Sequence, residues 1–339
     1  MSKKPVLMFL TKKVSLLVVT YFIAVCLVFI LPRLIPASPL AVKMQSILQM
    51  YILKPEMVPR VWHELIKTFE LDKPWYVQFI TFVTRAFRGD LGVSIERYPM
   101  KVNDIIARAL PWTLVLVIPP TIVSWFVGNI IGAYAGYKRG GMLEKFVLGY
   151  SFIVSRIPYY WLAMLMLFTL GFRLRWFPIG GKHSIWVTPS PTLDFFVDFL
   201  WHYTLPFLSM FIIQSAGWMG SMRVVISGEL GSDYIAYSES LGVRDGIIFK
   251  YAYRNSLLPQ VTGLALQLGF ALTGALVTEN VFNYQGLGYY LASAIGALDY
   301  PVIQGIFLIV IATVFLANFL VDFMYALIDP RIRVGGEKV

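Results

Sequence analysis

The feature that most constrains this chain is a set of apolar runs too long and too numerous for a soluble core. Stretches at about 14–31, 110–137, 146–171, 202–226, 260–282 and 302–328 each approach or exceed the roughly 20 helical residues that cross a hydrocarbon layer of about 30 Å. With 58% hydrophobic residues, 14% charged residues and a mean hydropathy of +0.68, too little polar surface is left for a globular protein in water. The expected fold is therefore an all-α membrane protein with six transmembrane helices, since a helix satisfies its own backbone in lipid.

The net charge of +10 does not read as a nucleic-acid face, because the basic residues are scattered between the apolar runs. They set topology instead. With the N-terminus inside, the short inner segments hold Lys3, Lys4, Lys12, Lys13, Lys138, Arg139, Lys145, Arg223, Arg244, Lys250, Arg254, Arg331, Arg333 and Lys338; the two short outer loops hold only Arg173, Arg175 and Lys182. An even number of spans then places both termini in the cytoplasm of a multi-pass plasma (inner) membrane protein. The lysines ahead of the first run imitate a signal peptide, but the run exceeds a typical signal core, Pro32 and Arg33 follow it, and several further spans come later.

The expected organisation is an N-terminal tail and first transmembrane helix at 1–35 and an external helical subdomain at 36–108. A five-helix transmembrane core at 109–330 follows, including a cytoplasmic loop at 227–259, and a cytoplasmic tail at 331–339 ends the chain. In the external segment, Asp72 and Pro74 suit the start of a helix to Arg88 with Gly89 as its stop, and Trp75, Phe79, Phe82, Val83 and Phe87 share one of its faces.

Chemistry-bearing motifs are absent from the sequence: no phosphate loop, no H-E-x-x-H, no G-x-S-x-G. Cys26 is the single cysteine and His63, His183 and His202 are far apart, so neither a metal site nor a disulfide is expected. No catalytic residue is assigned. A chain that drives uphill transport without a nucleotide site must take its energy from a partner, which directs attention to the cytoplasmic loops.

The longest of these, SGELGSDYIAYSESLGVRDGIIFKYAYRNSLLP, runs from Ser227 to Pro259. Ser232 or Asp233 can cap a short helix through Tyr234, Ala236, Tyr237, Glu239 and Ser240, which Leu241–Gly242 ends. Past a turn from Arg244 through Asp245 to Gly246, an amphipathic helix with Ile247, Ile248, Tyr251 and Leu258 leads to Pro259. Length, capping and exposed aromatics suit a docking surface for a cytosolic protein.

This loop resembles the EAA loop of binding-protein-dependent ABC importer permeases, with Gly242 and the closing Leu258–Pro259 in place and Ala236-Tyr237-Ser238 where the Glu-Ala-Ala triplet falls. ELDKPWYVQF at 70–79, RGDLGVS at 88–94, YKRG at 137–140, TENVFNYQGLGYYL at 278–291, DYPVIQG at 299–305 and VDFMYALIDPRIR at 321–333 are similar to the dipeptide and oligopeptide branch, first of two permease subunits. The resemblance implies the type I importer permease fold, pairing with a second homologous permease, two cytoplasmic ATPase subunits that carry ATP and Mg, and an external solute-binding protein. It also implies that Asp233 to Asp245 form the coupling helix seated in the ATPase. Family cargoes include peptides, nickel and oligosaccharides; the aromatic-rich outer half and the GNIIGAYAGYKRG stretch incline towards oligosaccharides.

Two features within the spans remain. Gly128, Gly132 and Gly136 form a small-residue face suited to close helix approach, within this chain or with the second permease. Arg156 falls near the middle of the third span, where a charge costs roughly 2.5–3.5 kcal/mol, so a carboxylate, a watery pathway or a neighbouring permease must compensate it. Tyr159, Tyr160 and Trp161 beside it are pathway or interfacial candidates. A self-sufficient secondary transporter or channel would need its own coupling site, for which paired midplane carboxylates are lacking.

Overall fold

The computed structural model describes residues 4–34, 41, 43, 63–64, 66–70 and 72–328. Most of 36–62 and the tail at 331–339, with Arg331, Arg333 and Lys338, lie outside the described residues. The chain forms two compact units, one from Thr113 to Gln285 and one from the residues before and after it. All regular structure among the described residues is helical apart from one antiparallel bridge, Val93 with Lys101.

The flanking unit holds α1 (Lys4–Ile30), a 3-10 turn (Leu31–Leu34), α2 (Trp75–Phe87), the start of α3 (Val102–Tyr137), and, after the central unit, α9 (Leu287–Gly296) and α10 (Tyr300–Ile328). α1 packs along α10, with the Tyr21 and Phe315 rings 6.2 Å apart. Phe79 and Phe82 of α2 lie 5.1 and 5.6 Å from Phe29 of α1. The α2 start differs from the sequence expectation: Pro74, not Asp72, occupies the cap position, and no side chain caps the helix. Of its expected apolar face, Phe79, Phe82 and Val83 are half-buried, while Trp75 and Phe87 stay exposed.

The central unit contains the rest of α3, then α4 (Met142–Val154), α5 (Tyr159–Met166), a wide π-helical turn (Leu167–Arg173), α6 (Leu193–Glu229), α7 (Asp233–Ser240) and α8 (Asp245–Val281). α6 is its hub, packed against α4, α5 and α8. The glycine face of α3 meets α6: a Cβ at Gly128 would stand 2.5 Å from the Trp218 Cβ, one at Gly136 would stand 2.5 Å from Ile226 Cγ2, and one at Gly132 would strike the Met219 carbonyl. Glycine at all three positions lets the two helices come this close.

Two expectations about continuity fail in opposite directions. The third run, 146–171, is not one straight span: α4 and α5 are bent by 94°. Pro158 lacks an amide proton and drives Ile157 away from helical geometry. Arg156 and Ile157 donate only three residues back, at 3.4 and 3.1 Å, and Ser155 Oγ turns to the Ser151 carbonyl. Conversely, the amphipathic helix expected to end at Pro259 continues as α8 through that proline to Val281. Trp125 Nε1 donates to the Gln260 carbonyl beside it (3.0 Å).

Among the described residues, α3 and α6 are long and apolar enough to cross a membrane, and the bent α4–α5 pair adds a third if it is one span. α1, α8 and α10 contain 27, 37 and 29 residues, each long enough at 1.5 Å per residue to cover about 30 Å.

Candidate functional site

α7 is built as a short, rigid projection. Ile235 is its buried anchor, packed with Ala133 of α3, Met222 and Ile226 of α6, and Ile248 and Ala252 of α8. The Tyr234 hydroxyl donates to Glu229 Oε1 (2.6 Å), and Asn255 Nδ2 donates to the same carboxylate (3.1 Å) and to the tyrosine oxygen (3.0 Å). Burial first, and then the bond to Glu229, push the Tyr234 hydroxyl above its ordinary pKa, so it remains a donor at neutral pH. The cap differs from expectation: Ser232 occupies the N-cap position, but its Oγ donates to Glu229 O (2.6 Å) and not to an α7 amide.

The far end closes in a Schellman motif. Val243 N donates to Ser238 O (3.1 Å) and Gly242 N to Glu239 O (2.9 Å), with Gly242 at φ +70°. A side chain in that left-handed conformation is strained, which explains glycine there. Arg244 occupies the next N-cap position, and Ile247 and Ile248 donate to its carbonyl at 2.8 and 3.2 Å. Tyr137 of α3 donates to Asp245 O (3.0 Å). Asp233, Ala236, Tyr237, Glu239, Ser240, Gly242, Arg244 and Asp245 are exposed, as are the nearby Leu241, Ile247 and Tyr251. The result is an apolar and charged surface on a support fixed from three helices.

Beside it lies a polar clamp that the sequence reading missed. Glu144, at the start of α4, pairs with Arg223 of α6 through Nη2 and Nε, the latter at 3.0 Å, and also accepts from Gly140 N (2.6 Å). Arg139 donates to the Ser227 carbonyl. The turn between α3 and α4 is thereby fastened to the end of α6 that leads into α7. The YKRG match at 137–140 was its sequence signal, although neither Glu144 nor Arg223 stands out by spacing.

Arg156 sits in the α4–α5 break, exposed, not inside a continuous helix as expected. No described carboxylate lies within ion-pair distance of it. Tyr159 is half-buried, and Tyr160 and Trp161 are exposed at the start of α5. Among the described residues of the central unit, the carboxyl group of Glu279 of α8 is fully buried and accepts from Thr113 Oγ1 of α3 at 2.6 Å. It lies in the matched TENVFNYQGLGYYL segment, towards the end of a span in the sequence.

In the flanking unit another buried carboxylate explains two matched segments at once. Asp299 of DYPVIQG accepts from Ser94 Oγ and from Glu96 N (3.0 Å), both in or beside RGDLGVS. Its other oxygen faces Val302 N at 3.4 Å in the first turn of α10. Asp299→Ala leaves these buried donors unanswered at about 1–3 kcal/mol each. A lowered thermal unfolding midpoint of the purified transporter is expected, with Asp299→Asn retaining most of the stability; an unchanged midpoint for Asp299→Ala would contradict this role.

Among the described residues no cluster of His, Cys, Asp or Glu could hold a metal ion. What the structure defines is a helical protein with long apolar helices and an exposed, braced short helix, α7.

Residues 128–334 match the family described as binding-protein-dependent transport system inner membrane component. The chain is 30% identical over 341 residues to the di/tripeptide transport system permease protein DppB of Pseudomonas aeruginosa (96% of this chain, 99% of the relative). It is 28% identical to the dipeptide transport system permease protein DppB of Escherichia coli K12 (96% and 99%). Against the glutathione transport system permease protein GsiC of Escherichia coli it is 30% identical (96% and 98%). The chain belongs to this family of inner-membrane permeases. It is a multi-pass permease subunit of a binding-protein-dependent ABC importer, and ATP hydrolysis belongs to a separate subunit.

Proposed function

We propose that this chain forms half of a type I importer pathway with six spans, both termini cytoplasmic, a second homologous permease as its partner, and one ATPase docked on each permease. The observation that carries the reading is α7: a short helix held at Ile235 and at the Glu229–Tyr234–Asn255 bonds, ended at Gly242, with Tyr237 and Leu241 exposed. Such an element moves as a rigid handle, so closure of the ATPases reaches α6 and α8 and reorients the spans between two access states. Asp233 to Asp245 are its docking residues. Positive-inside counting supports the orientation.

Short peptides are the proposed cargo, delivered by an external binding protein. The relatives are named for di- and tripeptides, dipeptides and glutathione, which favours peptides over the oligosaccharides suggested by the aromatic content. Arg156, with Tyr159, Tyr160 and Trp161, is a candidate pathway group, since a bent span with non-helical backbone belongs beside protein or water and not lipid. Reconstitution tests the central claim. Liposomes with both permeases, both ATPases, binding protein and ATP are expected to accumulate peptide, and liposomes lacking the ATPases are not. Uptake by this chain alone would establish a self-sufficient transporter instead.

A further inference from the structure

The sequence places α2 in an external subdomain, yet its surroundings are those of a helix in lipid. Tyr76, Ile80, Val83 and Phe87 recur at helical spacing along one stripe that contains no charge. Tyr76, Ile80 and Phe87 are 54, 61 and 81% exposed. α2 runs antiparallel to α1: its first half meets Phe29, and further along Val83 and Phe87 share an apolar groove of about 350 Å³ with Val18, Val19, Tyr21, Phe22 and Val25. Those α1 residues lie inside the 14–31 apolar run, not beyond its end. The carboxyl-terminal half of α2 therefore lies alongside the middle of that apolar run.

The polar groups of α2 are arranged accordingly. Thr84 Oγ1 turns back to Ile80 O (2.7 Å), as Thr20 of α1 does to Leu16 O (2.7 Å). Gln78 donates to Lys73 O (2.9 Å) and accepts from Arg33 Nη2 (3.0 Å), and Arg85 pairs with Glu70 at 3.3 Å. For the hydroxyl and the amide, this internal satisfaction is what a solvent without hydrogen bonds demands; the Arg85 side chain, 47% exposed, projects from the face opposite the stripe. The stripe is also continuous, through the shared groove, with the exposed Val18, Val19, Phe22 and Leu27 face of α1.

We propose that α2 is a lipid-embedded helix whose Tyr76–Ile80–Val83–Phe87 stripe lies among phospholipid acyl chains, one of which fills the α1–α2 groove. The inference goes beyond the permease reading and needs only that α1 crosses the membrane.

Nitroxide labels at Ile80→Cys and Phe87→Cys, in a Cys26→Ser background, test it in the assembled transporter in nanodiscs of phosphatidylethanolamine and phosphatidylglycerol. Leu27→Cys serves as the lipid reference and Asp72→Cys as the aqueous one. Oxygen is expected to outcompete a water-soluble nickel chelate in collisions at 80 and 87, giving a log accessibility ratio of the same sign as at 27 and opposite to that at 72. Dominant nickel access would place α2 in water. Low access to both reagents would place a protein partner on the stripe; either result overturns the proposal. If Phe87→Cys does not assemble, Ile80→Cys alone decides.

Discussion

Gly242→Val is expected to abolish ATP-driven peptide uptake while leaving the permease inserted and its ATPase partners able to hydrolyse ATP. Gly242 holds φ +70°, a region that costs a residue with a Cβ roughly 1–2 kcal/mol, and more when the branch is at Cβ. Nothing lies within 4 Å of a Cβ built there, so the penalty is conformational and not a clash. The chain relieves it by abandoning the left-handed turn, and then the bonds from Gly242 N to Glu239 O and from Val243 N to Ser238 O are lost together. α7 loses its fixed end, and the angle between α7 and α8 is no longer determined. A strain of about 1.4 kcal/mol alone lowers the competent population about tenfold, and loss of the two capping bonds lowers it further.

Uptake and ATP hydrolysis must be measured on the same proteoliposomes, since the outcome distinguishes a coupling fault from a folding fault. Gly242→Asn is the graded control, because asparagine tolerates the left-handed region better than valine; its uptake should fall between the two. Normal uptake with valine would remove Gly242 from the coupling element.

The apolar runs were legible because lipid fixes their length, and α7 was legible because its start at Ser232, its closing glycine and its length are local, although the Ser232 hydroxyl bonds Glu229 O and not an α7 amide. Less local features were not. Pro158 and Pro259 look alike in sequence, yet one marks a 94° break and the other lies inside a continuous helix. What differs is the neighbouring structure, and no window of sequence contains it. The same holds for charge. Arg156 drew attention by its place in an apolar run, whereas the buried carboxylates among the described residues are Glu144, Glu279 and Asp299. Glu144 is answered by Arg223, 79 residues away, and Asp299 by Ser94, 205 away. A hydropathy reading counts such residues as loop ends; only the fold shows that helix packing has closed over them.

The Glu144–Arg223 pair leads to the second large effect. Glu144 has 8% of its side chain exposed and Arg223 26%, and the carboxylate also holds the Gly140 amide at 2.6 Å, so removing one partner strands a charge in a crowded site. The pair joins the α3–α4 turn to the end of α6 from which α7 projects. In the proposed role of α7 as the docked helix, force entering there would pass to α3 and α4 as well as to α6 and α8. Glu144→Gln keeps the shape and the acceptor for Gly140 but removes the charge, and Arg223→Met keeps much of the apolar stem. Each single variant should lower peptide uptake on the order of tenfold, while the double variant recovers part of the loss, because neither charge is then left alone. Independent, multiplicative losses would show that the two residues act separately. Equal losses of uptake and of thermal stability would assign the pair to holding the helices together. Reduced uptake with an unchanged unfolding midpoint and continued ATP hydrolysis would place it in the transmission of motion from α7, the outcome expected for a clamp at the base of a moving handle.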